Sequence, residues 1–376
     1  MRILVLTKRQ YTGKDLLDDR YGRLFEIPAG LAALGHEVRG VALSYRRRDE
    51  GWHGGSSVPG MRWWSENALP WGLLRYARAL DGATEGWRPD IVWASSDMLH
   101  AILAIRWSRE RQVPCVLDLY DNYESFGLSK FPGLAQRFRR ACRQASGITA
   151  VSRTLATYVE SEYALNGKVQ VVSNGVRRDF SEVRDKAECR ASLQLPGDAR
   201  LIGTAGSITA DRGIADLFEA FLSLCVTDDR LWLVHAGPVD DTPGRYQHPR
   251  IINLGVLPFE RMPWLFSALD VGVVCNRDSS FGRYCFPLKL QEMLASRIPV
   301  VAAAVGDVAD LLQRHQDCLY TPGDPLQLAG RITTHLAQRK IGHLPPVSTW
   351  QDCALQLESV LDKAHSVSSS PESAPA

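Results

Sequence analysis

Phe286-Pro287-Leu288-Lys289-Leu290-Gln291-Glu292-Met293-Leu294-Ala295-Ser296-Arg297-Ile298-Pro299-Val300-Val301 is the stretch that decides how this sequence is read. An extended segment turns into a helix after Pro287, and Arg297-Ile298-Pro299 then opens an apolar strand that ends in the turn Ala304-Val305-Gly306-Asp307-Val308. Lys289 and Glu292 stand at i and i+3, so they share one helix face. A helix N-terminus presents unpaired N–H groups to an anion, and a lysine there adds a full charge. A carboxylate one turn on can accept two hydrogen bonds from a vicinal diol. A diphosphate carrying a ribose matches that set. The alternative is a surface ion pair on an ordinary amphipathic helix, and the surroundings decide between the two.

Outward from this stretch, short apolar runs alternate with segments of helical period. In the first half the runs are Arg2 to Leu6, Val38 to Leu43, Ile91 to Ala94, Cys115 to Asp118, Ile148 to Val151 and Val169 to Val172. In the second they are Leu201 to Gly206, Leu231 to Ala236, Ile251 to Leu254, Val271 to Cys275, Pro299 to Ala303 and Cys318 to Tyr320. Apolar strands separated by helices are the pattern of a parallel sheet covered on both faces. Leu24, Ile27, Leu31 and Leu34 give the first intervening helix its stripe despite Pro28, and others are expected near 213–225, 288–296 and 325–338. The expected fold class is α/β, with two Rossmann-like doubly wound domains. The expected boundaries are a first domain at 1–170, a linker at 171–198, a second domain at 199–345, a helix at 346–365 packing back on the first domain, and a disordered tail at 366–376.

Composition removes several function classes. A chain of 376 residues, 45% apolar and 23% charged, is too long for one core and too apolar for disorder. Its net charge of +2, from 44 basic and 42 acidic residues, lacks the excess expected of a nucleic-acid binder. The first 165 residues hold 23 Lys and Arg against 18 Asp and Glu, so that half is the mildly basic one. Eight cysteines without a C-x-x-C pair read as reduced thiols. Met1 leads straight into Arg2 to Leu6 and no apolar run approaches the length of a membrane span, so a cytoplasmic protein is expected. No G-x-G-x-x-G, P-loop, zinc-ligand spacing or G-x-S-x-G is present, which weakens dehydrogenase, NTPase, zinc-enzyme and serine-hydrolase readings.

With those classes set aside, Pro287-Leu288-Lys289-Leu290-Gln291-Glu292, with Ile298-Pro299-Val300-Val301 and Gly306, resembles the nucleotide-sugar segment of GT-B fold glycosyltransferases, family 4 (glycosyl transferases group 1). Val171-Val172-Ser173-Asn174-Gly175-Val176 with Phe180 resembles their interdomain segment, and Gly203 to Ile214 resembles the first strand and turn of their donor domain. Leu231 to Pro238 and Asn253-Leu254-Gly255-Val256 resemble the next two strands. The resemblance implies two domains facing a cleft and the retaining transfer of a hexose-type sugar. The donor would be a nucleotide diphosphate sugar on the second domain, and the acceptor a glycan, lipid-linked or small molecule on the first. A sugar-nucleotide 2-epimerase of the same fold and a non-catalytic nucleotide-sugar-binding protein are the alternatives.

The donor-binding residues so implied are Gly206, Ser207, Arg212, Gly255, Phe286, Leu288, Lys289 and Glu292, and the catalytic ones Arg212, Lys289 and Asp121. Two departures stand out. Where the family places a basic residue directly after the first glycine of the donor turn, this chain has Ser207, leaving Arg212 and Lys289 as the cations. Where the family's Glu-x7-Glu pattern has its first glutamate, this chain has Tyr284, so sugar contacts would fall to the backbone amides of Cys285 and Phe286, while Pro287 has none to offer.

On the acceptor side Tyr120 takes the place of a family histidine, and Asp121, Glu124, Asp97 and Gly22 are the candidates near it. Asp121 also admits the plainer reading of a turn cap. If the leaving phosphate accepts the acceptor's proton, no strong protein base is needed. With Arg212, Lys289 and a helix dipole on the diphosphate, no metal or other cofactor is expected. Seven of ten tryptophans fall in the first 165 residues. Trp63, Trp64 and Trp71 lie among Arg62, Arg75 and Arg78, and a basic helix is expected over Leu134 to Arg140. This admits a peripheral contact with the inner face of a membrane or, as the plainer reading, a solvated arginine face over core tryptophans.

Overall fold

The computed structural model describes residues 1–11, 13–53, 58–69, 72–125, 127–165, 167–338 and 345–369. Two compact units result, Met1–Asn174 joined by Trp350–Ala376, and Gly175–Thr349.

The first unit begins with β1 (Arg2–Lys8), a small antiparallel ribbon of β2 (Gln10–Tyr11) and β3 (Lys14–Asp15), α1 (Arg23–Ala33) and β4 (Glu37–Ser44). Then come β5 (Gly51–Trp52), β6 (Met61–Asn67), α2 (Gly72–Ala83), β7 (Ile91–Ser95), α3 (Met98–Arg111) and β8 (Cys115–Leu119). After these, α4 (Leu134–Gln144), β9 (Gly147–Ala150), α5 (Arg153–Tyr163) and β10 (Val169–Val171) complete the sheet. Among the described residues its order is β10-β9-β8-β7-β1-β4-β6-β5, parallel except where β5 meets β6. The interior strands are buried end to end, as a sheet covered on both faces requires. Pro28 is accommodated inside α1, where it packs in the core beside Leu24, Ile27 and Leu31.

Strand β6 was not legible as an apolar run, because it alternates. Met61, Trp63 and Ser65 are buried while Arg62 points to solvent. Trp63 lies over Gly40, where an added Cβ would come within 2.2 Å of its ring. This tryptophan is therefore core, and its membrane-facing reading is corrected. Trp64 is half-buried and packs edge-on against Trp52, Arg62 stacks on Trp52, and Arg75 pairs with Glu50 and Glu66. Trp71 lies outside the described residues.

The second unit contains α6 (Lys186–Ser192), β11 (Arg200–Ala205), α7 (Ala215–Leu224), β12 (Leu231–Ala236), β13 (Ile251–Asn253), α8 (Met262–Ala268) and β14 (Val271–Val274). It continues with α9 (Ser280–Tyr284), α10 (Leu288–Ala295), β15 (Val300–Ala303), α11 (Asp307–Leu311), β16 (Leu319–Tyr320) and α12 (Pro325–Gln338). Its parallel sheet has the order β13-β12-β11-β14-β15-β16. One face packs on Leu265, Phe266, Leu290 and Met293 of α8 and α10, the other on Phe218, Phe221, Leu328 and Ile332 of α7 and α12. Segment 171–198 is not a bare linker, because α6 within it packs against α8 and belongs to this unit. The chain then returns to the first unit as α13 (Trp350–Ser369), which lies on α1 where Gly30 admits Ala354. Residues 366–369, expected to be disordered, continue that helix, and 370–376 lie outside the described residues.

A buried ion pair ties the first unit together. Arg23 donates to both oxygens of Asp118 at 2.8 and 2.6 Å, and both side chains are fully buried. Asp118 also accepts from the hydroxyls of Ser95 at 2.6 Å and Thr149 at 2.5 Å, and Arg23 donates to the Ser173 carbonyl at 3.0 Å. Strands β7, β8 and β9, the segment after β10 and α1 are thereby locked at one level. Removing one partner leaves the other charge buried and unpaired, so Asp118→Ala is expected to cost the first unit about 3–5 kcal/mol in a denaturant titration. Joint replacement by Arg23→Met and Asp118→Leu should recover part of that loss, and a double variant no better than the single one would refute the assignment.

Candidate functional site

In each sheet the first strand lies in the interior, with the next strands on one side and later ones on the other. Open α/β sheets bind ligands outside the carboxyl ends of the strands at that reversal. In the second unit the reversal falls between β11 and β14. The β11 turn runs over Gly206, Ser207 and the short helical turn Ala210–Arg212, and the β14 turn runs through Asn276 and α9 to the amino end of α10.

Glycine is required where these turns crowd. Gly206 has φ 95°, a left-handed conformation other residues adopt at a cost, and a Cβ on Gly237 would approach the Gly206 carbonyl oxygen to 2.0 Å. Gly237 donates its N–H to the Gly255 carbonyl at 2.7 Å. Gly206, Gly237 and Gly255 thus line one edge, with Ser207 exposed beside them. Opposite, the Nζ of Lys289 lies 3.9 Å from where a Cβ of Gly206 would sit. Arg212 spreads its guanidinium over the Phe281 ring, 3.8 Å from the centroid, and the charges of Arg212 and Lys289 oppose each other. Phe286 and Leu288 are half-buried at the start of α10.

Glu292, one turn into α10, is 7% exposed, yet among the described residues no donor reaches its carboxyl group and no cation lies within ion-pair distance. Burial pushes its pKa up to about 8, Asp179 adds to the rise, and Lys289 and Arg177 oppose it. Lys289 is shifted the other way, its pKa lowered by burial. A half-buried ammonium, an arginine stacked on an aromatic ring, a helix N-terminus and a buried carboxyl therefore converge with few commitments of their own. That set can neutralise a diphosphate and accept hydrogen bonds from a diol.

In the first unit the reversal falls between β1 and β7. Gly22 precedes α1 with the Tyr11 ring against it. Tyr120 is half-buried between Tyr11 and Tyr123, and its hydroxyl is without a partner among the described residues. Asp121 beside it is half-buried and accepts from the Asn122 N–H at 2.9 Å. Asp97 caps α3, accepting from the N–H groups of Leu99 and His100 and from the Tyr45 hydroxyl, and it is also paired with the His100 ring. These contacts with His100 hold its pKa well below the carboxylate range against the opposing effect of burial. Glu124 is bound to Arg139 by two hydrogen bonds of 2.8 Å, so its carboxylate already has a full partner.

Sequence reasoning missed Lys8, at the end of β1. Its Nζ lies 5.5 Å from the centre of the Tyr120 ring. Burial lowers its pKa while Asp97 and Asp121 raise it. The available signal was a lysine closing the first apolar strand. Asp317, Cys318 and His335 hold ligand atoms within 4.8 Å of one another. They precede β16 and close α12, at the amino edge of the second sheet and opposite the Lys289 cradle.

Two doubly wound units in one chain define the GT-B class. The chain belongs to the glycosyltransferases of family 4, group 1: residues 24–180 match Glycosyltransferase Family 4 and residues 199–338 match Glycosyl transferases group 1. TuaC of Bacillus subtilis (strain 168), provisionally assigned as a teichuronic acid biosynthesis glycosyltransferase, is 28% identical over 247 residues, 66% of this chain and 61% of its own. TuaH of the same organism, with the same provisional assignment, is 28% identical over 192 residues, 49% of this chain and 47% of its own. The matches thus span less than two thirds of these relatives. Among solved structures, sucrose-phosphate synthase from Thermosynechococcus elongatus superposes with a TM-score of 0.74 at 17% identity, covering 97% of both chains. Anabaena HepE in complex with UDP gives 0.67 at 17% identity and 98% coverage of both. At such identities the likeness is one of fold.

The Glu292 carboxyl has a stability consequence. With a folded pKa of about 8 against an ordinary 4.5, it holds a proton that the unfolded chain releases. Its contribution is therefore undiminished below pH 4.5 and is lost as pH rises through about 8. Glu292→Gln is expected to stabilise the second unit by up to about 5 kcal/mol above that pH and by little at pH 4. Denaturant titrations at the two pH values measure this, and an unchanged difference between them counts against it.

Proposed function

We propose that this protein is a retaining glycosyltransferase. It would transfer a hexose-type sugar from a nucleotide diphosphate sugar to a glycan, lipid-linked or small-molecule acceptor, in polysaccharide or glycoconjugate assembly. The observation that carries the reading is the pairing, one helical turn apart at the amino end of α10, of Lys289 facing the Gly206 turn with a buried Glu292 that no donor among the described residues reaches. The provisional assignment of TuaC to teichuronic acid biosynthesis and the UDP-glucose complex of HepE support a glycan product and a nucleotide diphosphate donor.

In this reading Glu292 takes the two ribose hydroxyls, and Arg212, Lys289 and the first N–H groups of α10 take the diphosphate. As the bond between the anomeric carbon and the diphosphate oxygen breaks, negative charge grows on that oxygen, and the two cations stabilise it without a metal. The acceptor hydroxyl attacks from the same face and gives its proton to the departing phosphate. No side chain of this protein then has to act as a strong base, and Asp121 serves to orient the acceptor hydroxyl.

The test is a panel of nucleotide sugars assayed for binding and for nucleoside diphosphate release. Glu292→Ala should weaken donor binding about a hundredfold, since the buried acceptor of two hydrogen bonds is lost. Lys289→Ala should lower kcat about a hundredfold or more with folding intact, and the product should keep the donor's anomeric configuration by NMR. No binding of any nucleoside diphosphate overturns the proposal. Epimerised or free sugar formed without acceptor points to the epimerase, and binding without turnover points to the non-catalytic protein.

A further inference from the structure

Between α3 and α4 the first unit carries an open groove of about 530 Å³. Ile102 and Ile105 lie at its base, and Arg106, Arg109, Arg137 and Arg140 stand around it. Arg106 pairs with Glu110 at 2.9 Å on the exposed surface. Arg109, Arg137 and Arg140 are exposed and have no carboxylate within ion-pair distance among the described residues. The other arginines of α4 are spoken for, Arg139 by Glu124 and Arg143 by the Tyr163 carbonyl. The helix buries Phe138, Ala141 and Cys142 against the unit, so its uncommitted charge is gathered on the groove side.

Just ahead of α4 stand Lys130, exposed, and Phe131, 63% exposed. Four arginines and one carboxylate, Glu110, thus line the groove, and Lys130 adds an exposed cation ahead of α4, in a chain whose whole net charge is +2. A phosphodiester backbone alone would use the arginines but not the apolar base or the protruding phenylalanine. The surface of an anionic bilayer uses all three, with lipid phosphates meeting the guanidinium groups and Phe131 entering the acyl boundary. Among the described residues no helix is long and apolar enough to cross a membrane. The segment that leaves β8 with Tyr120 and Asp121 runs through two short helical turns directly into Phe131 and α4.

We infer that the α3–α4 face, with Lys130 and Phe131, docks this protein on anionic lipid. The inference stands apart from the sugar-transfer reading, because it concerns a surface that shares no residue with the α10 cradle. It takes up the basic helix expected over Leu134 to Arg140, and the tryptophan cluster has no part in it.

Sedimentation of the full chain with vesicles tests it. Binding is expected to phosphatidylglycerol–phosphatidylcholine vesicles and not to phosphatidylcholine alone, and it should fall steeply with added salt. Each basic side chain near such a surface is worth about fivefold in partitioning, so Arg137→Gln with Arg140→Gln should lower it about twenty-fivefold. The thermal midpoint and nucleoside diphosphate binding should be unchanged. Phe131→Ser should remove the part of binding that persists in salt. Arg46→Glu with Arg47→Glu, elsewhere on the same unit, should have much the smaller effect. Equal binding to neutral vesicles, undiminished binding by the Arg137/Arg140 variant, or binding to a duplex oligonucleotide with no vesicle association would each overturn the inference.

Discussion

The position of the first strand within each sheet governs the rest of this molecule. Because β1 and β11 lie inside their sheets, the chain must reverse its direction of growth beside them. The crossovers on either side then diverge and leave an uncovered notch at the carboxyl edge. Backbone must turn tightly there, hence Gly206 packed on Gly237. Helix N-termini also end there, because each crossover helix runs back from a strand's carboxyl end. Geometry thus delivers oriented N–H groups and close backbone approach before any side chain is chosen.

The two units treat buried charge in opposite ways. Arg23 and Asp118 satisfy one another and are satisfied further by Ser95, Thr149 and Ser173, and such a closed network fixes structure and has nothing left to offer a ligand. Glu292 and Lys289 sit one turn apart without meeting at ion-pair distance, and each has its pKa moved by desolvation toward its neutral form. A folded protein retains uncompensated groups of that kind where something else completes them. Lys8 in the first unit, held among Tyr120, Asp97 and Asp121, is a milder case of the same condition.

Much of this was legible in the sequence, for a physical reason. Strands buried on both faces are continuous apolar runs, so β1, β4, β7, β8, β11, β12 and β14 announce themselves. The α10 pair was legible because i, i+3 spacing fixes which side chains share a face. What escaped was set by neighbours distant in sequence. Met61–Asn67 alternates, and what places Trp63 in the core is Gly40 beneath it on the neighbouring strand. Lys8 acquires meaning from Tyr120, more than a hundred residues away. Glu124 looked available until Arg139 was found on it. Segment 171–198 read as a linker because α6 is short and its partner α8 lies far along the chain.

The return of α13 to the first unit makes the second unit an insertion, with its entry and exit held side by side by the bridge between Val176 and Thr349 and the Val176 N–H on the Ser348 carbonyl at 3.0 Å. During synthesis the ribosome therefore finishes the inserted unit while the earlier one still lacks the helix that covers α1. Of the two units, the one begun earlier is the later to be completed, and until α13 emerges from the exit tunnel the Gly30 face of α1 stays bare.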